Sequence, residues 1–239
     1  MSAHDGAGHL PDTVGILGVG RAGTALARAI ARIPALSPGT TATRVLMAGT
    51  RRPSAVQRHL TIYAPQATAV AAEDLAGDTT LTVVAVPRED LDDVDPALLA
   101  GHRTLAVVDM TNTWGDEPVP DWLAPASPWD AAPGTVRLAA HWAAAGLRVP
   151  VVRAFSEVSH SVLDTAGRAE PPLRALAVGA EEPGPAREAV AALVRALGFE
   201  AVEYAPLARA AAVEPCTRAF SRECTARELT AALAESLPF

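Results

Sequence analysis

At 239 residues the chain has room for one large domain, or one domain with a small appendix, and it can bury a core without disulfide or metal staples. Hydrophobic residues make up 49% but aromatics only 4%, and the formal charge of −7 argues against nucleic acid or anionic membrane surfaces as partners. All 20 basic residues are arginine, which excludes lysine Schiff-base chemistry, a tyrosine–lysine catalytic pair and a P-loop lysine. Cys216 and Cys224 have neither metal-ligand spacing nor the pattern of a secreted disulfide framework. The first twelve residues lack the charged start and apolar run of a signal peptide, and no stretch of about 18 apolar residues occurs. A cytoplasmic enzyme or binding protein that acts on a small molecule, without a metal, is the expectation.

Residues 1 to 12 read as a disordered tail. Thr13 to Leu17 is a short apolar run ending in glycine, the pattern of a buried strand. Arg21 to Arg32 places alanine, leucine and isoleucine at helical spacing, until Pro34 and Ser37-Pro38-Gly39 stop it. Arg44 to Ala48 predicts a second strand, Ser54 to Ala64 a helix, and Ala67 to Val70 a weak third strand. Leu81 to Val86 and Leu105 to Met110 predict strong strands flanking a helix at 90–99, which contains Pro96. The segment 114–135 carries Trp114, Trp122 and Trp129 among prolines and reads as a long rigid loop; Trp122 and Trp129 are expected to anchor it. Beyond it come a helix at 136–147, strands at 151–155, 175–178 and 201–204, a helix at 185–197 and a last helix at about 225–236.

Strands separated by helices point to parallel βαβ units with right-handed crossovers. The first strand-to-helix turn reads Gly18-Val19-Gly20-Arg21-Ala22-Gly23, a G-x-G-x-x-G with a strand before it and a helix after it. Gly18 permits the tight turn, Gly20 lets a pyrophosphate approach the backbone, and Gly23 lets helix and strand pack closely. The helix N-terminus offers unpaired N–H groups to the phosphates. The second strand ends in Gly49-Thr50-Arg51-Arg52, without the carboxylate that would hold an NAD ribose. An arginine and the Thr50 hydroxyl there favour a 2′-phosphate, hence NADP, although Arg51 or Arg52 could equally be solvated at a turn. Val86-Pro87 is a further expected nucleotide contact. Asn112 and Trp114 are expected near the nicotinamide, with local backbone capping the alternative for Asn112. The fold class is therefore α/β: a Rossmann-type parallel sheet with helices on both faces. It is divided into an NADP-binding domain at 13–150 and a small C-terminal α/β extension at 151–239 that completes an acceptor cleft.

Several segments, taken in order, resemble one family: the NADPH-dependent reductases of coenzyme F420, a deazaflavin. They are Gly18 to Gly23, Gly49-Thr50-Arg51, Val84 to Pro87, Val107 to Asn112, Val151 to Phe155, Ala177-Val178-Gly179, Leu197-Gly198-Phe199, Ala205 to Arg209 and Glu214-Pro215. The resemblance implies a deazaflavin held as co-substrate in a cleft between the two parts, a homodimer, and direct hydride transfer between the nicotinamide and the deazaflavin. Where the family usually carries asparagine or histidine, this chain has Ser156, followed by Glu157-Val158-Ser159-His160. Ser156, Glu157 and His160 are the candidate catalytic residues. For an imine, enone or dehydroamino acid acceptor, His160 or a buried Glu157 would supply a proton; alternatively His160 is a surface residue and Ser159 a helix N-cap. His141, beside Trp142, reads as packing. Three functions follow: a deazaflavin reductase, an NADPH-dependent reductase of a small organic acceptor, and a non-catalytic NADP(H) sensor.

Overall fold

The computed structural model describes residues 9–114, 117–127 and 130–235. The expected tail up to residue 8, Trp129 and Ser236 lie outside them. Among the described residues eight strands form a single sheet: β1 (Thr13–Leu17), β2 (Arg44–Ala48), β3 (Thr68–Ala69), β4 (Leu81–Val84), β5 (Ala106–Asp109), β6 (Val151–Ala154), β7 (Ala175–Ala180) and β8 (Glu200–Tyr204). Seven α-helices within the described residues connect or flank them: α1 (Arg21–Ala31), α2 (Ile33–Leu36), α3 (Pro53–Tyr63), α4 (Gly134–Ala144), α5 (His160–Thr165), α6 (Pro185–Ala196) and α7 (Ala226–Glu235). No helix among the described residues is long and apolar enough to cross a membrane.

The strand order is β3-β2-β1-β4-β5-β6-β7-β8. Pairing is parallel throughout except between β6 and β7, so β7 and β8 run opposite to the other six. The order reverses direction between β1 and β4, and this switch point opens the crevice where α/β sheets bind their ligands. The residues after 150 join the same hydrogen-bonded sheet, β6 pairing with β5 through Val107↔Val151 and Asp109↔Arg153.

Near-continuous apolar runs suit a sheet covered on both sides. On one face, Val14, Ile16, Val45, Met47, Val83, Val108, Val152 and Val178 pack under Leu26 and Ile30 of α1, Leu60 of α3, Leu163 of α5 and Val190 and Leu193 of α6. On the other, Val84, Val107 and Val151 meet Leu138 and Trp142 of α4, and Ala175, Ala177, Val202 and Tyr204 meet α7 and a 3-10 segment at Leu207–Val213. The helix expected at 90–99 is instead two 3-10 turns, Arg88–Asp93 and Pro96–Leu98. Pro96 has no N–H to continue a helix from the preceding turn, and Asp95 caps the second turn by accepting from the Ala97 N–H at 2.9 Å.

Candidate functional site

The turn after β1 is built as its glycines require. Gly18 has φ +121°, and a Cβ there would lie 2.4 Å from the Ala85 carbonyl oxygen, so β1 and the end of β4 touch backbone to backbone. A Cβ on Gly23 would lie 2.1 Å from the Gly18 carbonyl oxygen, which sets how closely α1 seats on the strand. Gly20 differs: it is the N-cap of α1, and a Cβ on it would meet nothing within 4 Å. The first turn of α1 holds no acidic residue, Arg21 stands exposed at its start, and Ala22 packs partly against the core. Val19 leans over Gly49, whose missing side chain leaves it room: a Cβ at 49 would lie 3.1 Å from Val19 Cγ2. This open, positively polarised backbone fits a diphosphate.

Thr50, Arg51 and Arg52 project from the tip of β2, all exposed. A cavity of about 220 Å3 lies beside them, lined by Leu17, Gly49, Thr50, Val86, Leu98 and Leu99 among others, at the carboxyl ends of β1, β2 and β4. Val86 therefore joins the cavity wall, while Pro87 is exposed at the start of the first 3-10 turn.

Asn112 does not cap the loop after its own strand; both ends of its amide bond to neighbouring segments. Its Oδ1 accepts from Arg153 Nη2 at 2.9 Å and its Nδ2 donates to the Ser156 carbonyl at 2.6 Å. It thereby ties the loop after β5 to the loop after β6. Trp114 is 50% exposed and makes a near-perpendicular ring contact with Phe220 at 5.4 Å.

Beneath these loops lies a buried charge network. Arg153 Nη1 donates to Asp109 Oδ2 at 2.9 Å and to the Thr111 carbonyl, and its Nη2 reaches Glu214 Oε1 at 3.2 Å. Arg88 donates to Thr111 Oγ1 at 3.0 Å and Thr113 Oγ1 at 2.7 Å, and lies 3.9 Å from Asp109 and 3.8 Å from Glu214. Burial alone would raise the Asp109 pKa, but Arg153, Arg88 and two hydrogen bonds from Thr111 outweigh it and hold the carboxyl below its ordinary value. Gly134 opens α4 where a side chain would collide with the Arg88 guanidinium, its Cβ position being 2.1 Å from Nη1. A cavity of about 370 Å3 beside the network is walled by Arg88, Thr113, Gly134, Arg137 and Glu214 together with the 114–135 segment. That segment is pinned by Trp122, which stacks on His141 at 3.9 Å and donates to Asp92 at 2.7 Å.

The three candidate catalytic residues are set apart by burial. His160 is exposed at the first position of α5, and Ser159 is the N-cap, its Oγ accepting from the Val162 N–H at 3.4 Å. Ser156 is buried, and its hydroxyl has no hydrogen-bond partner among the described residues. Phe155, at φ +62°, turns the chain out of the ladder just after Ala154↔Val178. Glu157 Oε1 then accepts from the Ala177 N–H at 2.6 Å, a bond that satisfies the β7 backbone where the β6 ladder has ended. Burial pushes the Glu157 carboxyl above its ordinary value near 4.5. Its contribution to stability is complete below that ordinary value and is lost as pH rises through the raised one. Glu157→Gln keeps an acceptor for Ala177, so it is expected to flatten this decline in urea melts across about pH 4 to 8 while turnover stays within about twofold. A collapse of turnover with unchanged stability would assign Glu157 the role of proton donor.

Residues 13–113 match the family model described as NADP oxidoreductase, coenzyme F420-dependent. No curated protein matches the chain significantly. Among solved structures, a hypothetical protein from Sinorhizobium meliloti superposes with a TM-score of 0.68 at 19% identity, over 89% of this chain and 95% of that one. A protein from Arthrobacter sp. FB24, provisionally named an F420-dependent NADP reductase, gives 0.59 at 21% identity over 84% and 87%. A pyrroline-5-carboxylate reductase from Coxiella burnetii gives 0.51 at 12% identity over 86% and 64%. The solved structures share the fold, and the glycine turn and the arginine-bearing strand tip both fall inside the matched segment. Over residues 13–113, under half of its length, the chain is similar to the coenzyme F420-dependent NADP oxidoreductases.

Proposed function

We propose that the protein transfers hydride between NADPH and coenzyme F420, with the two meeting over the carboxyl ends of β4, β5 and β6. The observation that carries the NADPH half is the open approach to Gly20 at the start of α1, with no acidic residue in the first turn. Backbone N–H groups of the Gly18–Gly23 turn hold the diphosphate, the cavity at Leu17, Gly49 and Val86 takes the adenosine, and Arg51 with Thr50 pairs with the 2′-phosphate. When bound, the nicotinamide supplies the hydride. The chain's own residues align the two rings and exclude water. Asn112, anchored on Arg153 and on the Ser156 carbonyl, fixes the two loops that floor the crevice.

The deazaflavin reading is supported by the family match over residues 13–113. A small imine acceptor would need a proton donor, a role open to Glu157, whose carboxyl is pushed up by burial and whose Oε2 has no hydrogen-bond partner among the described residues. Mixing the purified protein with NADPH and coenzyme F420, and following the nicotinamide and deazaflavin absorbances, tests the activity directly. NADPH bound without deazaflavin reduction, but with turnover of an imine, would replace this acceptor. For the 2′-phosphate, Arg51→Ala is expected to weaken NADPH binding by about ten- to a hundredfold, the loss of a charge-assisted hydrogen bond, and to leave NADH binding nearly unchanged. Equal losses for both, read by calorimetry, would remove Arg51 from that role.

A further inference from the structure

Trp114 and Phe220 are far apart in the chain and meet beside the loop after β5. Trp114 lies two residues beyond Asn112, in the loop after β5. Phe220 belongs to the segment 214–222, which is fastened at both ends. Glu214 accepts from Arg153 Nη2, and the Ser221 N–H donates to the Glu157 carbonyl at 2.8 Å, just past the end of β6. Within that segment Cys216 and Ser221 hold left-handed conformations, at φ +72° and +56°. Non-glycine residues adopt such angles uncommonly, and these two turns set the path of the chain on either side of Phe220. Its ring meets Trp114 at 74°, centroids 5.4 Å apart, while half of Trp114 stays open to solvent. Two rings set nearly at right angles form a corner.

The sheet gives the corner its address. From β1, which carries the diphosphate turn, the order runs through β4 to β5 and β6. Neighbouring strands are about 4.8 Å apart, so the ends of β5 and β6 lie roughly 10 to 14 Å across the crevice from that turn. A dinucleotide extended from the turn brings its nicotinamide toward this corner. Wide, flat aromatic surfaces favour a flat conjugated partner, through offset or edge-on contacts with the ring.

Resting on the reading of the chain as an NADPH-dependent reductase, we propose that Trp114 and Phe220 form an aromatic corner that receives the acceptor's conjugated ring system, and that this corner selects a planar polycyclic acceptor over a small aliphatic one. Neither residue takes part in proton or hydride movement; each positions the acceptor ring.

The test uses the full-length protein, with equilibrium binding of oxidised coenzyme F420 to the NADP⁺-loaded form and steady-state kinetics of coenzyme F420 reduction by NADPH. Trp114→Ala and Phe220→Ala are each expected to raise the Kd and KM for the deazaflavin by about tenfold or more. The Kd for NADPH should stay within about twofold and kcat should change little. Trp114→Phe is expected to restore most of the affinity. Phe220→Leu keeps apolar bulk but removes the aromatic face, so it reads the same effect should the alanine variant fail to fold. Unchanged deazaflavin affinity in folded variants overturns the corner, as does a wild-type protein that binds NADPH but no deazaflavin. Absence of NADPH binding by the wild type is a separate outcome, and overturns the reductase reading along with the corner that rests on it.

Discussion

Alanine at position 18 is expected to remove both fold stability and NADPH, whereas alanine at position 20 should remove only the NADPH. At Gly18 two penalties coincide. The backbone sits at φ +121°, where an L side chain is strained by about 1–3 kcal/mol, and the new methyl would lie 2.4 Å from the Ala85 carbonyl oxygen, a rigid backbone atom. The end of β4 must then move away from β1 at the switch point itself. A total loss of about 3 kcal/mol or more is expected in denaturant titrations, with NADPH binding abolished. At Gly20 the backbone is extended, with φ −77° and ψ −171°, and the methyl would enter empty space. Stability should hold within about 0.5 kcal/mol, while the methyl occupies the volume a diphosphate needs and weakens NADPH by about tenfold or more. Calorimetry and urea melts on the two variants separate the roles. Equal NADPH affinity in Gly20→Ala and wild type would show that the diphosphate lies elsewhere.

Arg153→Met is the second large expected effect. Arg153 is 1% exposed, and its guanidinium serves Asp109, Asn112, Glu214 and the Thr111 carbonyl. Removing it leaves Asp109, fully buried, with only Arg88 at 3.9 Å and the Thr111 bonds. Breaking a buried pair from one side costs about 3–5 kcal/mol, most of it the stranded partner rather than the lost attraction. Glu214, at 18% side-chain exposure, is nearer to water and should be stranded less. Pairing Arg153→Met with Asp109→Asn should therefore recover more stability than pairing it with Glu214→Gln. Because the depressed Asp109 pKa gives stability that is present above its unfolded value and lost as pH falls, the single variant should also begin acid unfolding at a higher pH than wild type. A loss below about 1 kcal/mol with an unchanged acid limb would mean that water reaches the network freely.

Most of the strands were legible as apolar runs, several closed by glycine or proline as at Gly18, Gly49 and Pro87, and their bounds differ from expectation by no more than two residues. The order across the sheet and the reversal at β7 were not. Nothing within Ala175–Ala180 records the direction of its neighbour, which is set by a connection passing through α5 and a coil. Short helices escaped as well: α5 has six residues, too few for a period to show. In the nucleotide half, the glycine turn could be read from spacing alone because its chemistry is local. The charge network could not, since Arg88, Asp109, Arg153 and Glu214 are drawn from widely separated segments and each alone resembles a surface residue. A signal was nonetheless present. Asp109 and Arg153 each interrupt an otherwise apolar strand, with opposite signs, and a charge in such a run needs a partner. Phe220 gave no signal, because its place depends on Glu214 and Ser221 being fastened to β6 and the loop beyond it.

The carboxylate of Glu214 also has a bearing on how the protein is made. Arg88 and Asp109 leave the ribosome close together and neutralise each other, but Arg153 follows with no anion of its own until Glu214 is translated, 61 residues later. Before then, closing β6 onto the growing sheet would trap an excess cation in a dry interior. The nucleotide-binding half can therefore settle early, while the last three strands wait for the acid near the end of the chain. In refolding, Glu214→Gln should leave the segment after residue 150 open to proteases for longer than in wild type, while the nucleotide-binding half closes at an unchanged rate.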